Sequence, residues 1–277
     1  MSGHLVLVAT PIGNLGDLSP RAVEVLAAAD VVACEDTRRT GRLLQAAGVR
    51  ARALISVHDH NEATQVGAVL QRIRAGEVVA VVSDAGTPGI SDPGERLVRA
   101  AAQSGLEVRV IPGPSAAIAA LVGSGLPTGR FVFEGFLPRK GSARSERLAA
   151  LAAEQRTIVL YEAPHRVART VADLAASLGG DRPVVLAREL TKLHEELWRG
   201  TLDAAVGHLG GHEPRGEFVV VVDGADEPAA ADDQAVLDAL AVRLADGASR
   251  RDAVAEVAEA LGVPKRRVYD LALGEST

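Results

Sequence analysis

The sequence of 277 residues has very little cysteine, and Cys34 is its single example. One thiol excludes an internal disulfide framework and any metal site built from several cysteines. Such sparing use of cysteine is typical of proteins from a reducing compartment. We therefore expect a cytoplasmic protein in which Cys34 packs inside a sheet.

Long apolar segments are also missing. No uninterrupted apolar run approaches the ~20 residues that span a bilayer. The N-terminal stretch MSGHLVLVATPIGN has no basic region ahead of an adequate apolar core, so we expect neither a secretion signal nor a membrane anchor.

Lysine is scarce, and most of the positive charge comes from arginine. Lys140, Lys192 and Lys265 are the lysines among 30 basic residues, and the formal net charge is −6. An acidic balance argues against a protein that coats nucleic acid with its whole surface, although it permits a local basic face. Residues 130–170 are the candidate for such a face, because they hold eight basic residues against four glutamates.

Apolar runs alternate with amphipathic stretches along residues 4–111. The runs predict strands at 4–10, 31–36, 53–56, 78–83 and 108–111. The stretches predict helices at about 20–29, 37–47, 61–75 and 92–104. This alternation is typical of an α/β fold in which helices cover both faces of a mostly parallel sheet.

The pattern changes after the segment IPGPSAAIAALVGSGLP. Strands are predicted at 131–136, 157–162, 183–188, 194–201 and 216–222, with helices at about 143–153 and 164–178. Consecutive strands with fewer crossovers favour a mixed sheet and a second domain. We predict an N-terminal α/β domain over 1–112, a C-terminal α/β domain over 113–225 and, after an acidic linker, a helical unit over 233–277.

One loop of unusual composition, VVSDAGTPGISDPG at 81–94, follows a predicted strand. Open α/β sheets bind ligands at the carboxyl ends of their strands. Asp84 and Asp92 would repel a polyphosphate unless a metal intervened, so a cationic or zwitterionic ligand such as S-adenosylmethionine fits better. The alternative is a tight connection whose glycines adopt positive φ and whose aspartates cap turns.

The loop after the first strand, ATPIGNLGD, lacks the G-x-G-x-x-G dinucleotide fingerprint. Glu35 and Asp36 nevertheless end the second strand about where a ribose-binding acid would lie. Ser115 stands at a predicted helix start, where it caps the helix or receives a ligand carboxylate.

The segment SVHDHNEAT contains His58, Asp59 and His60. Three adjacent residues alternate sides on an extended chain and converge poorly, so we predict no metal site. The two histidines are equally suited to an RNA phosphate or a sugar hydroxyl.

The C-terminal stretch SRRDAVAEVAEALGVPKRRVYDLAL predicts a helix, a tight turn at Gly262 and a second helix that Pro264 opens. Helix-turn-helix units have this form and present their second helix to nucleic acid. A plain helical cap is the alternative.

Seven ordered motifs extend over essentially the whole chain. They are LVATPIGNLGDLSPRAVEVLAAADVVACEDTRRTGRLL, SDAGTPGISDPG, IPGPSAAIAAL, FEGFLPRK, YEAPHR, ELTKLHEE and GEFVVVV. Together they closely resemble the ribosomal RNA small subunit methyltransferase I family, which belongs to the tetrapyrrole methylase superfamily. The resemblance implies a two-domain class III methyltransferase, with a helix-turn-helix-like tail, that binds S-adenosyl-L-methionine between its domains.

The resemblance also implies a reaction and partners. The enzyme would methylate the ribose 2′-hydroxyl of a decoding-centre cytidine in 16S rRNA of the small ribosomal subunit, and it would form a homodimer. A methyltransferase for a precorrin-type tetrapyrrole shares the fold and is the alternative. Such an enzyme would need neither the basic segment at 130–170 nor the helical tail. A second alternative is a non-catalytic RNA-binding module, which would need no cleft between domains.

Three groups of site residues are predicted, of which the first is implied by the matching motifs. The cofactor contacts are Ser83, Asp84, Ala85, Gly86, Ile90, Ser91, Asp92, Ser115, Ala116, Tyr161, Glu162 and Ala163. Candidates for the proton step are Asp36, His58, Glu162 and Lys192. RNA contacts are expected from Arg38, Arg39, Arg139, Lys140, Arg166, Lys265, Arg266 and Arg267.

Overall fold

The structure is a computed structural model that describes residues 3–58, 60–211, 213–226 and 231–274. The chain forms two compact units, Met1–Ala225 and Asp226–Thr277. The first unit contains two five-stranded sheets. Because both sheets fall within one unit, the predicted boundary between residues 112 and 113 stays a prediction. Residues 227–230 of the predicted acidic linker lie outside the described residues.

The first sheet is entirely parallel, with the strand order β3-β2-β4-β1-β5. Its strands are β1 His4–Val8, β2 Val31–Cys34, β3 Leu54–Ser56, β4 Val78–Val82 and β5 Val108–Ile111. Its helices are α1 Pro20–Ala28, α2 Thr37–Ala46, α3 Glu62–Arg74 and α4 Glu95–Gln103. The predicted parallel sheet is confirmed.

Alternation along β1 shows why this sheet is buried on both faces. Leu5 and Leu7 enter the core that contains Leu97, whereas Val6 and Val8 enter the core on the opposite face. Side chains of a strand alternate between faces, so a strand covered on both sides has a continuous apolar sequence. Cys34 is buried in β2, as predicted.

The second sheet is mixed, with the order β6-β7-β10-β8-β9, and only β6 and β7 run parallel. Its strands are β6 Phe131–Phe136, β7 Thr157–Glu162, β8 Pro183–Arg188, β9 Glu196–Thr201 and β10 Phe218–Val222. Its helices are α5 Ala116–Ser124, α6 Ser142–Ala152, α7 Pro164–Leu178 and α8 Leu202–Gly210. Helix α5 packs on one face, and α6, α7 and α8 pack on the other.

Some boundaries differ from the prediction. Helix α4 begins at Glu95 instead of residue 92, since Gly94 has a φ of 131°, which a helix does not accept. Helix α8 was not predicted, because glycines at 207 and 210 weaken the helical signal of its short sequence.

The second unit is built from three helices, as predicted. They are α9 Asp233–Ala245, α10 Arg250–Leu261 and α11 Lys265–Ala272. Gly262 ends α10 in the left-handed conformation with a φ of 63°. Val236, Leu240, Val257 and Val268 belong to a core of its own. Over the described residues, no helix is both long enough and apolar enough to traverse a bilayer.

Candidate active site

A cleft of about 200 Å³ lies between the loop after β4 and the second sheet. It is lined by Ile12, Ala85, Gly86, Thr87, Ile90, Ser91, Asp92, Ser115, Ala116, Phe136, Tyr161, Ala187, Leu190, Glu217, Phe218 and Val219. Eight of the predicted cofactor residues therefore border one cavity. They are Ala85, Gly86, Ile90, Ser91, Asp92, Ser115, Ala116 and Tyr161.

The 83–94 loop is held against the end of β1. Thr10 and Gly86 exchange two backbone hydrogen bonds, of 2.8 and 3.1 Å. The Thr10 hydroxyl also donates to the Ser83 carbonyl at 3.2 Å. Gly86 has a φ of 79°, so glycine suits this pairing. These contacts fix the loop on a rigid parallel strand.

Three non-glycine residues near the cleft have positive φ. Ser91 has a φ of 60°, and Glu189 and Thr191, which flank Leu190, have φ values of 49° and 66°. Backbone of this kind is uncommon and is concentrated at binding and catalytic sites. The Ser91 hydroxyl packs closely on Gly135 of β6.

Tyr161 joins the second sheet to the start of α5. Its hydroxyl accepts the backbone N–H of Ala117 at 3.2 Å. The ring packs edge-on against Phe133 with centroids 5.0 Å apart, and burial raises the pKa of the Tyr161 hydroxyl. Ser115 lies at the N-cap position of α5, but its side chain makes no capping hydrogen bond.

Four predicted cofactor residues do not line the cleft. Ser83 is buried, and its hydroxyl donates to the carbonyls of Ala85 and Gly86. The carboxylate of Asp84 points away from the cleft. It accepts the backbone N–H of Asp36 at 3.2 Å. The other two, Glu162 and Ala163, lie at the junction of β7 and α7.

Glu162 belongs to a buried polar network instead of the cleft. Its side chain is 0% exposed, and one oxygen lies 3.1 Å from Nε of Arg166. The Thr170 hydroxyl donates to its other oxygen at 2.6 Å, and Arg144 donates to that hydroxyl at 3.1 Å. Its carboxylate is enclosed by these partners and does not line the cleft, so the roles expected for Glu162 in cofactor binding and proton transfer stay predictions.

A second, open pocket of about 700 Å³ lies at the carboxyl ends of β2 and β3, and we call it the Asp36 pocket. It is lined by Glu35, Asp36, Thr37, Arg38, Arg39, Ser56, His58, His60 and Asp84. Because Asp84 borders this pocket and Ala85 borders the cleft, consecutive residues of the 83–94 loop face the two cavities.

The charged groups of the Asp36 pocket are paired. Hydrogen bonds from the Arg38 side chain and backbone hold the pKa of Asp36 at about 2. Arg39 lies 3.3 Å from Asp84. Nδ1 of His58 is buried and has no hydrogen-bond partner among the described residues. Asp59 lies outside them, and the described part of the chain contains no group of three ligands suited to a metal ion.

Lys192 contacts Gly13, which follows β1 of the first sheet, and Glu217, which precedes β10 of the second. Its ammonium is 2.8 Å from both Glu189 and Glu217. Burial lowers the pKa of Lys192, but these hydrogen bonds outweigh burial and leave it raised. The lysine stem packs directly on Gly13, where a Cβ would overlap Lys192 Cγ. A protonated ammonium is therefore placed beside Glu217, which lines the cleft.

The basic segment at 130–170 is less basic on the surface than its composition predicts. Arg144 is buried, Arg147 pairs with Glu134 and Arg156 pairs with Glu154. Arg166, a predicted RNA contact, donates to the Leu137 carbonyl and pairs with Glu162. Arg139 and Lys140 are exposed. Internal ion pairs thus reduce the predicted basic face.

Among the predicted RNA contacts of the tail, one is engaged in an ion pair within the tail and two are exposed. Arg267 of α11 pairs with Asp233 of α9 at 2.6 Å, so it holds two helices together. Lys265 is exposed, and Arg266 is exposed over 94% of its side chain. Both lie in the second helix of the helix-turn-helix arrangement.

The cleft also contains residues that were not predicted as sites. They are Ile12, Thr87, Phe136, Glu217, Phe218 and Val219. The motifs FEGFLPRK and GEFVVVV supplied the available signal for Phe136 and for 217–219, because both motifs lie at ends of strands in the second sheet.

Two family models match the sequence. Residues 4–206 match the model for Tetrapyrrole (Corrin/Porphyrin) Methylases, and residues 229–276 match the RsmI C-terminal HTH domain. A "Ribosomal RNA small subunit methyltransferase I" of Synechocystis sp. is 50% identical over 98% of each chain. The chain belongs to the ribosomal RNA small subunit methyltransferase I family. The protein of that name from Escherichia coli O157:H7 is 45% identical, over 98% of this chain and 95% of its own.

Solved structures of other methyltransferases share the fold of this chain. The methyltransferase CobJ superposes with a TM-score of 0.62 at 22% identity, covering 81% of this chain and 95% of its own. Uroporphyrin-III C-methyl transferase from Thermus thermophilus, complexed with S-adenyl homocysteine, gives a TM-score of 0.56 at 21% identity, covering 80% and 97%. Family membership confirms the predictions of an S-adenosylmethionine-dependent methyltransferase and of rRNA methylation.

The cleft residues fit that cofactor. No lysine or arginine occurs among the described residues that line the cleft, so it offers no cation for a polyphosphate. Asp92 supplies a carboxylate, and Glu217 supplies a second one that also pairs with Lys192; carboxylates suit the sulfonium and ammonium charges of S-adenosylmethionine. Apolar and aromatic side chains supply most of the remaining surface, as small-molecule sites require.

Proposed function

We propose that this methyltransferase acts on the ribose 2′-hydroxyl of a decoding-centre cytidine in 16S rRNA, in the cytoplasm. The observation that carries the proposal is the pair of cavities on the 83–94 loop. The cleft is apolar with two carboxylates, whereas the adjoining Asp36 pocket contains Arg38, Arg39, His58 and His60. A small cationic cofactor suits the first cavity, and a ribose flanked by phosphates suits the second.

S-adenosylmethionine, when bound, supplies an electrophilic methyl group on a positively charged sulfur. The chain holds it with the 83–94 loop and the start of α5 on one side, and with Tyr161 and residues 217–219 on the other. Because strand ends and helix starts carry these residues, the cofactor and the ribose are positioned with little freedom. Positioning of this kind is a large part of the rate enhancement in transfer reactions.

A 2′-hydroxyl is a weak nucleophile at neutral pH, so the chain must take its proton or stabilise its developing charge. Asp36, with a pKa of about 2, is a poor proton acceptor at neutral pH. Lys192 is held protonated, and we assign it to charge stabilisation. His58 lines the Asp36 pocket, where the ribose is placed, and we assign it the proton.

The RNA contacts in this proposal come from exposed cations. The Arg38 side chain is 88% exposed, so its ion pair with Asp36 contributes little stability. Breaking that pair to bind a phosphate of the RNA backbone therefore costs little. Arg39, Arg139, Lys140, Lys265 and Arg266 complete the set. Arg166 and Arg267 are left out because internal carboxylates engage them.

The deciding experiment uses labelled S-adenosylmethionine and small ribosomal subunits from cells that lack the enzyme. Mapping the label should identify one cytidine of the decoding centre, and alkaline hydrolysis should leave its 3′ bond intact because the 2′-oxygen is methylated. Label on a base, on another nucleotide or on a precorrin in place of RNA would overturn the proposal.

A variant separates RNA recognition from cofactor binding. Arg38→Ala should raise the KM for the subunit roughly 10-fold, the cost of one charge-assisted contact. Its cofactor affinity by calorimetry should be unchanged, because Arg38 borders the Asp36 pocket and not the cleft. Lost cofactor binding would show that the role is misassigned.

The proposal includes a homodimer. Val110 on the edge strand β5 and Ile118 and Val122 on α5 are apolar side chains exposed by 59%, 46% and 66%. Exposed apolar side chains of this size are suited to a protein contact. Sedimentation should give twice the chain mass, and Val122→Glu should shift it toward the monomer. A monomeric wild type would contradict this part of the proposal.

A further inference from the structure

A third pocket lies on the other face of the second sheet, where α8 packs, and we call it the Trp198 pocket. Its volume is about 460 Å³. Leu186, Leu209 and Phe218 form its apolar floor and are buried. Nothing in the methyl transfer described above uses this cavity.

Two parallel rings form one wall of the pocket. Trp198 from β9 stacks on His208 from α8, with centroids 4.8 Å apart and planes inclined by 16°. Trp198 is half-buried and His208 is exposed. Stacking on aromatic side chains is the main way in which proteins hold unpaired nucleobases, and one stacked base contributes about 1–3 kcal/mol.

Charged groups surround the rings. Arg215 is exposed, and no carboxylate lies within ion-pair distance of it among the described residues. Arg188 donates to the Arg215 carbonyl at 2.7 Å and lies 3.5 Å from Glu196, a loose pair. Glu213, also exposed, offers acceptor oxygens to a base amino group. The pocket thus combines a stacking surface, an acceptor and a guanidinium that has no ion pair within the described part of the chain.

The pocket adjoins the cleft through the second sheet. Phe218 borders both cavities, and the consecutive residues Ala187 and Arg188 face the cleft and the pocket. An RNA strand that brings one ribose to the methyl group of the cofactor in the cleft can therefore place a neighbouring nucleotide in this third pocket.

We propose that the Trp198 pocket binds one nucleotide of the RNA substrate, a neighbour of the methylated one. Its base stacks on the Trp198 and His208 pair, its phosphate is held by Arg215, and Glu213 accepts from its amino group. This inference rests on the proposed function, since it takes the nucleotide from the same RNA strand.

The protein has a single tryptophan, so its fluorescence reports on this pocket alone. The probe is an eight-residue single-stranded RNA with the decoding-centre sequence, titrated at pH 8 with S-adenosylhomocysteine present throughout. We expect saturable quenching, and we expect each free nucleoside monophosphate to need at least tenfold higher concentrations. Equal affinity for a free monophosphate would overturn the RNA strand as the source of the nucleotide.

Two arginine variants test the contacts. Arg215→Ala should raise the half-saturating RNA concentration five- to tenfold, whereas Arg74→Ala, an exposed arginine at the far end of α3, should leave it unchanged. His208→Ala should weaken quenching as well, because it removes half of the ring pair. Equal effects of Arg215→Ala and Arg74→Ala would overturn the proposal.

Methylation of small subunits is measured on the same samples. Methylation by the wild type without quenching would overturn the pocket and leave the proposed function intact. Quenching that depends on Arg215, without methylation of the subunit, would support the pocket and overturn the proposed function.

Discussion

The carboxylate oxygen Oε1 of Glu62 lies 3.0 Å from the backbone nitrogen of Gly94. The same oxygen accepts the N–H groups of Arg96 and Leu97 at 3.0 and 3.2 Å. Glu62 is 4% exposed, so one buried carboxylate from α3 caps the first turn of α4. Since Gly94 ends the 83–94 loop, this contact fixes the loop that lines the cleft.

Replacing Glu62 should loosen the loop. Glu62→Ala leaves three backbone N–H groups without their acceptor, and we expect a loss of about 2–4 kcal/mol in the free energy of unfolding. We also expect a KM for S-adenosylmethionine raised more than tenfold, with a smaller change in kcat. Urea unfolding and steady-state kinetics measure the two effects.

Glu62→Gln is the matched control, since its amide oxygen still accepts at the same place. It should recover most of the cofactor KM even if some stability is lost. If the glutamine and alanine variants have the same KM, the capping contact does not position the loop.

Lys192 gives a pH prediction whose sign follows from its partners. Its pKa is raised above the ordinary 10.5, so its ion pairs with Glu189 and Glu217 stabilise the fold fully below that value. That stability is lost as the pH rises through the raised pKa. The difference in unfolding free energy between the wild type and Lys192→Met should be constant from pH 7 to 9 and should shrink above pH 10.5.

The same variant tests the role of Lys192 in the reaction. With its ammonium removed, kcat should fall at least 100-fold while cofactor affinity changes little. Between pH 7 and 9 the wild-type rate should show no rise that depends on Lys192. A rate that climbs with the deprotonation of Lys192 would identify it as the proton acceptor instead.

Gly13 offers a way to move Lys192 without changing its charge. A methyl group at this position overlaps Lys192 Cγ, so Gly13→Ala must displace the lysine stem. We expect a fall in kcat of about tenfold or more, and little further loss when Lys192→Met is added. Gly67→Ala on α3 is the control, because its Cβ enters open space and should leave kcat unchanged. A fully additive double variant would contradict the link.

The strands of both sheets and the 83–94 loop were predictable because they depend on local patterns. Apolar runs are buried on both faces, and loops rich in glycine follow them. The role of Glu62 was not predictable, because the amides it caps lie more than 30 positions along the chain. The enclosure of Glu162 was not predictable either, because Arg144 of α6 is linked to it through the Thr170 hydroxyl of α7, and the sequence carries no sign of that link.

The two sides of the 83–94 loop show a second limit. The motif places Asp84 and Ala85 together, but only the backbone geometry decides that one faces the Asp36 pocket and the other the cleft. The prediction of a basic face at 130–170 was inaccurate for another reason. Composition counts its charges, whereas the fold pairs Arg147 and Arg156 with nearby glutamates and buries Arg144.

Removing the helical tail should cost RNA affinity far more than stability. The tail is a compact unit with its own core around Val236 and Val268. A chain that ends at residue 228 should therefore unfold in urea at a similar midpoint and bind S-adenosylmethionine as before. Its affinity for small ribosomal subunits should fall at least tenfold.

Charge substitutions on the tail test whether α11 itself contacts the RNA of the small subunit. Lys265→Ala with Arg266→Ala, on α11, should reproduce part of the loss and reduce the salt dependence of subunit binding by about two counterions. Arg250→Ala with Arg251→Ala removes the same charge from the start of α10 and should have the smaller effect, because the second helix of such a unit is the one presented to nucleic acid. Equal losses from the two pairs would favour a diffuse electrostatic role, and an insoluble truncated chain would show that the tail is a cap on the fold.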